Sequence, residues 1–187
     1  LCHRTCYQSI DKCQEGLKVR KSRAAIGSSV FFVLAPGIVA GLVPWWLTGW
    51  RMMETWPPLR MLGALLTIAG AAILMHAFVR FVSEGRGTPA PVAPTQHLVT
   101  GGAYRYVRNP MYLSVLAVIF GQALLVGQPI LFLYGAVVCA AVVSFVLAYE
   151  EPVLRRRYGP DYDVYRRAVP GWLPRLTPWE GGQDGHR

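Results

Sequence analysis

Apolar residues gather in four blocks, at about 26 to 50, 59 to 82, 112 to 127 and 130 to 149, and the charges cluster between them. At about 1.5 Å per residue, twenty helical residues cover the roughly 30 Å hydrocarbon layer, so the first two blocks predict membrane-spanning helices with length to spare for tilt. The third block has sixteen residues and is marginal for a span. Gly127, Gln128 and Pro129 break it from the fourth, which predicts a tight helical hairpin. The pattern gives an all-α integral membrane helical bundle of about four transmembrane helices with a C-terminal hairpin. Past Pro152, Arg clusters alternate with Tyr158, Tyr162 and Tyr165, and this predicts an interfacial amphipathic tail helix.

Four domains follow: an N-terminal segment 1–25, two spans within 26–82, a polar and hairpin module 83–175, and a flexible tail 176–187. Even crossings put both termini on one side. That side carries seventeen of the nineteen Lys and Arg, so the positive-inside rule makes it the cytoplasm. Trp45, Trp46, Trp50 and Trp56 crowd the opposite boundary as aromatic anchors. Gly37 and Gly41 predict a close helix contact. The first block is too long, and too interrupted by Pro36 and Pro44, for a secretory signal.

Composition supports this picture, because 53 % of the 187 residues are hydrophobic and 16 % are charged, against about 25 % charged in soluble domains. The formal charge of +9 sits at the edges of the apolar runs. It is therefore assigned to membrane topology and anionic membrane lipids, with no nucleic acid among the partners. Cys2, Cys6, Cys13 and Cys139 make no disulfide framework, and with His3 they match no metal-ligand spacing, so no metal is expected. Sixteen Arg against three Lys points to a GC-rich bacterial genome, hence to a bacterial inner membrane.

Candidate chemistry lies between the second and third blocks and at the end of the fourth. Pro89, Pro91 and Pro94 stiffen the segment before Gln96. Pro110 fits the first turn of the third helix, whose free amide donors then favour an anionic group beside Arg108. An interfacial Arg and Tyr anchor accounts for the same residues. Glu150 and Glu151 end the fourth block, where two adjacent carboxylates need a cationic answer. Arg155, Arg156 and Arg157 could give it as helix salt bridges, and a ligand ammonium could equally do so. The hairpin brings Arg108 to Tyr112 beside Glu150 and Glu151, a pairing suited to a ligand carrying both amine and carboxylate. His76 and Arg80 share a helix face near the cytoplasmic end, either as packing and snorkelling groups or beside a lateral entry for a lipophilic substrate.

An ordered set of residues resembles the isoprenylcysteine carboxyl methyltransferase family and, more loosely, the phospholipid methyltransferases. It comprises Gly87, Thr88, Pro89, Pro91 and Pro94; Leu98, Val99, Gly102 and Tyr104; Arg108, Asn109, Pro110 and Tyr112; Glu150 and Glu151; and Tyr158, Gly159, Tyr162, Tyr165, Val169 and Pro170. The resemblance implies methyl transfer from S-adenosylmethionine to a small lipophilic acceptor at the cytoplasmic face. Carried over by position, Gln96, His97, Leu98, Val99 and Tyr104 line the adenosine side. Asn109, Pro110, Met111 and Tyr112 hold the amino-acid portion, Glu150 pairs with its ammonium, and Arg108 and Glu151 are the adjacent catalytic-site groups.

Two departures from the family are visible. Asn109 stands where the family usually has His, and it can hydrogen-bond but not titrate. Val146 stands where eukaryotic members place a substrate-binding Arg, so a prenylcysteine carboxylate lacks its cation here. The competing readings are a membrane reductase of the sterol-reductase type, for which the chain has no Gly-rich dinucleotide turn, and a non-catalytic membrane scaffold.

Overall fold

A computed structural model describes residues 34–85 and 98–181, without side-chain detail at 81–85. The N-terminal segment with its three cysteines, the Pro89 to Pro94 stretch, Gln96, His97 and residues 182–187 lie outside the described residues. Within them the chain is helical and contains no strand. The first helix, α1, runs Leu34–Thr48, and α2 is Pro57–Gly85. A short 3₁₀ turn at Gly102–Arg105 leads into α3, Pro110–Val126. Helix α4 is continuous over Pro129–Tyr158, and α5 is Pro160–Ala168.

Two of these helices are long and apolar enough to cross a membrane: Pro57–Arg80 within α2, and α4. Only 17 % of an apolar 18-residue stretch in each is buried inside the protein, so they expose apolar side chains such as Leu65, Ile68, Leu133 and Val137 rather than forming a soluble core. α1 and α3 are shorter apolar helices. The seventeen residues of α3 rise about 25 Å, less than the hydrocarbon layer. Helix α3 can be short because it is sheltered: it packs against α1, α2 and α4 and buries Ser114, Leu116, Val118, Ile119, Gly121, Ala123 and Val126.

Small residues let the α2 and α3 backbones touch. A Cβ added at Gly63 would lie 2.7 Å from the Gly121 carbonyl oxygen, and one at Gly121 would lie 2.7 Å from the Thr67 nitrogen. Gly63 and Gly70 are seven residues apart and so share one helix face, and a Cβ at Gly70 would meet the Ser114 oxygen at 3.0 Å. Gly37 and Gly41 do not form the close contact their spacing suggests, since a Cβ at either meets nothing described within 4 Å.

Proline shapes α1. Pro44 has no N–H, so neither Val39 nor Ala40 can bond forward to it, and the helix widens to a π turn over Ile38–Leu42. Those two carbonyls are satisfied from neighbouring helices instead: Tyr134 Oη donates to Val39 O at 2.8 Å, and Gln122 Nε2 donates to Ala40 O at 2.6 Å. At the other end of the hairpin, Gly127 caps α3 at φ 75° and Pro129 starts α4, as the break in the sequence predicts. Gln128 Nε2 then ties this turn to the carbonyls of Thr48 and Arg51.

The C-terminal part departs from the expected single amphipathic helix. The spanning helix α4 continues through a second π turn to Tyr158, and Gly159 (φ 53°) redirects the chain into α5. The expected flexible tail is docked as far as Trp179. Its N–H donates to Arg105 O at 2.9 Å, Arg105 Nε donates back to its carbonyl at 2.8 Å, and its ring packs 5.2 Å from that of Tyr165.

Candidate functional site

The loop before α3 is braced from two sides. Gly102 adopts φ 57°, and a Cβ there would meet His76 Nε2 at 3.0 Å and Arg80 Cγ at 3.1 Å, so the loop lies directly on that face of α2. Tyr104 and Val99 are buried with Ala77 of α2, and Met111 packs against them. On the opposite side, Tyr162, Tyr165 and Val169 form a second buried cluster that takes in Leu98 and Trp179. Tyr165 Oη donates to Tyr104 O at 2.7 Å, and the Arg108 N–H donates to Pro170 O at 2.9 Å. Burial raises the Tyr162 and Tyr165 phenols above their usual range despite the nearby Arg108, which keeps both hydroxyls available as donors.

Helix α3 begins at Asn109 with Pro110 at its first position, where a missing N–H costs nothing. The Asn109 side chain makes no capping bond to the helix. Its Nδ2 is buried with no hydrogen-bond partner, and Arg108 Nε is in the same condition. A Cβ at Gly171 would come within 3.1 Å of Arg108 Nη2 and 3.6 Å of Asn109 Nδ2, so the strand of chain after α5 closes against both.

The two glutamates arrive from α4. Pro152 cannot donate within the helix and its ring crowds the preceding turn, and the helix opens to a π turn over Val146–Glu150, with the Glu151 N–H bonded to Val146 O. Successive helical residues point about 100° apart, so the pair diverges. Glu150 Oε2 accepts from Tyr112 Oη at 3.0 Å. Glu151 is 8 % exposed and is clamped by two guanidiniums, Arg108 Nη1 at 2.9 Å and Arg166 Nη2 at 3.0 Å. Arg108 Nη1 also donates to Tyr162 Oη at 3.1 Å.

The hairpin therefore does bring Arg108 and Tyr112 to Glu150 and Glu151. Of the neighbouring arginines, Arg155 turns away from the glutamates, its Nε pairing with Asp163 Oδ1 at 3.0 Å. The two carboxylates end up unequal. Glu151 has two cationic partners, whereas Glu150 has a neutral phenol and no cation among the described residues.

Sequence reasoning gave Tyr162, Arg166, Gly171 and Trp179 no individual role at the site. The available signal was the spacing of Tyr162, Tyr165, Arg166 and Val169, which puts them on one side of α5.

Residues 59–161, more than half of the chain, match the family model described as phospholipid methyltransferase. The chain belongs to that family. A stretch of 77 residues is 34 % identical to the protein-S-isoprenylcysteine O-methyltransferase of Schizosaccharomyces pombe (strain 972 / ATCC 24843), covering 41 % of this chain and 33 % of that protein. The match thus spans a third of the relative's length. No solved structure matches the chain.

Proposed function

We propose that this chain is an integral membrane methyltransferase that transfers a methyl group from S-adenosylmethionine to a small lipophilic carboxylate, thiol or amine at the cytoplasmic face. Four crossings, with both termini in the cytoplasm and a bacterial inner membrane as the setting, complete the reading. Membership of the phospholipid methyltransferase family and the partial likeness to an isoprenylcysteine O-methyltransferase support the reaction class. The observation that carries the reading is the inequality of the glutamates. A covered carboxylate with only a phenol for company suits an added cation, and it lies one helix away from a buried amide donor that lacks an acceptor.

Those groups fit an amino-acid zwitterion. Glu150 and Tyr112 would hold its ammonium, while Asn109 Nδ2 and the first-turn amides of α3 would hold its carboxylate. Leu98, Val99 and Tyr104 would line the adenosine side, and Gln96 and His97 precede them in the chain. S-adenosylmethionine supplies an electrophilic methyl on a sulfonium whose leaving group is a neutral thioether, so no protein acid has to protonate it.

The chain's own contribution is alignment and dryness. The Arg108, Glu151, Arg166 and Tyr162 network locks α5 and the loop before α3 onto the end of α4, which fixes where Asn109 and Glu150 point. The faces of Tyr104 or Tyr112 can hold a sulfonium by an attraction of about 0.5 to 2 kcal/mol. Val146 is 1 % exposed and apolar, so it offers no cation to a prenylcysteine carboxylate, and the acceptor is left outside that class.

The test is incubation of the purified protein with labelled S-adenosylmethionine and membrane extract, followed by identification of the labelled product. It is paired with unfolding measured in detergent with S-adenosylhomocysteine or NADPH. A labelled lipophilic product and stabilisation by S-adenosylhomocysteine alone are expected. Stabilisation by NADPH alone would replace the proposal with a reductase.

A further inference from the structure

An open cleft of about 520 Å³ lies between the end of α4 and α5, lined by Arg108, Arg155, Arg166, Arg167 and Asp163. Charge within it is unbalanced. Arg108 and Arg166 share one carboxylate, Glu151, and Arg155 takes Asp163. Among the described residues, Arg167 Nε reaches the Asp163 backbone carbonyl, at 3.3 Å, and no carboxylate. Among the described residues four guanidiniums thus face two carboxylates, and Arg156 and Arg157 adjoin them in sequence.

The position of the cleft follows from α4. Arg155 lies about 39 Å along the helix axis from Pro129, beyond a hydrocarbon layer of roughly 30 Å and level with the headgroups. On the same end of the molecule, Leu173 is 79 % exposed and Leu176 is fully exposed. They are held out stiffly, because Arg175 between them is anchored by its N–H to Tyr106 O at 2.9 Å and by Nη1 to Ala168 O at 2.8 Å. Basic groups and displayed leucines at one end of the molecule suit a bilayer surface of anionic lipid, which takes leucines among its acyl chains and arginines at its headgroups.

We propose that this cleft binds the phosphate of an anionic phospholipid in the adjoining leaflet, a role distinct from holding a methyl donor at Glu150. Arg167 and Arg155 supply forked donors to the phosphate oxygens, and Leu173 and Leu176 seat against the acyl chains. The site is independent of the methyl-transfer reading, because its test measures lipid retention with no methyl donor present.

The experiment titrates the purified full chain in neutral detergent with phosphatidylglycerol, phosphatidylcholine or inorganic phosphate. Bound lipid is read by native mass spectrometry and the unfolding midpoint by heating. Phosphatidylglycerol should bind about tenfold more tightly than phosphatidylcholine, and Arg167→Gln should remove about that factor. Leu173→Ser, which changes no residue lining the cleft, should weaken phosphatidylglycerol without changing the response to inorganic phosphate, and it decides the matter if Arg167→Gln fails to fold. Equal binding of the two lipids, or an Arg167→Gln protein that retains phosphatidylglycerol like wild type, overturns the proposal. So does a response to inorganic phosphate as large as that to phosphatidylglycerol, which would make the cleft a soluble-anion site.

Discussion

Replacing Glu150 by Gln tests the proposed donor site most directly. The substitution keeps the size of the side chain and an oxygen able to accept from Tyr112 Oη, now 3.0 Å away, and it removes only the negative charge. Because Glu150 has no cationic partner among the described residues, the folded protein loses no ion pair, and its unfolding midpoint should barely move. Ligand binding should change greatly. A hydrogen bond to a charged group contributes about 1.5 to 3 kcal/mol, which corresponds to roughly 10- to 150-fold weaker binding of the amino-acid end. S-adenosylhomocysteine is the right probe, since it keeps that end and lacks the sulfonium, and calorimetry in detergent gives the dissociation constant. Glu151→Gln is the contrast. It strips Arg108 and Arg166 of their shared, 10 %-exposed carboxylate, and losing one partner of a buried pair costs about 3 kcal/mol, less where Arg166 is partly solvated. Its signature is therefore lowered stability. If Glu150→Gln binds S-adenosylhomocysteine as tightly as wild type, the assignment of the ammonium to Glu150 is wrong.

Gly121→Ala should destabilise the α2 and α3 contact by about 1 to 3 kcal/mol in thermal unfolding, because its new methyl meets the Thr67 backbone, whereas Gly41→Ala, facing open space, should not destabilise. Gln122→Leu leaves the Ala40 carbonyl without its donor and should cost about 0.6 to 1.7 kcal/mol by the same measurement; no loss would mean that the π turn satisfies itself. Burial raises the Tyr165 hydroxyl above the ordinary phenol value of about 10, so its contribution to stability is complete below pH ~10 and is lost as pH climbs toward the folded value. Wild type should therefore lose stability faster than Tyr165→Phe above pH 10, and parallel losses would refute the buried phenol.

The sequence by itself determined the apolar helices, the break at Gly127 to Pro129, and hence the approach of Arg108 and Tyr112 to the glutamates. These follow from chain-local physics: helix length against bilayer thickness, a left-handed glycine cap, and a proline that can only start a helix. It also exposed the tyrosine stripe of α5 without fixing which side chains that stripe would meet. Tertiary structure decided which small residues touch. Gly37 and Gly41 have the spacing of a contact, but Gly63, Gly70 and Gly121 make it, since spacing fixes a helix face and only packing supplies the neighbour. It likewise decided the fates of the two glutamates. Their one-residue offset on a proline-widened turn sends one toward a phenol and the other into the grip of two arginines, one from a loop and one from a helix, which meet only when the chain folds back on itself.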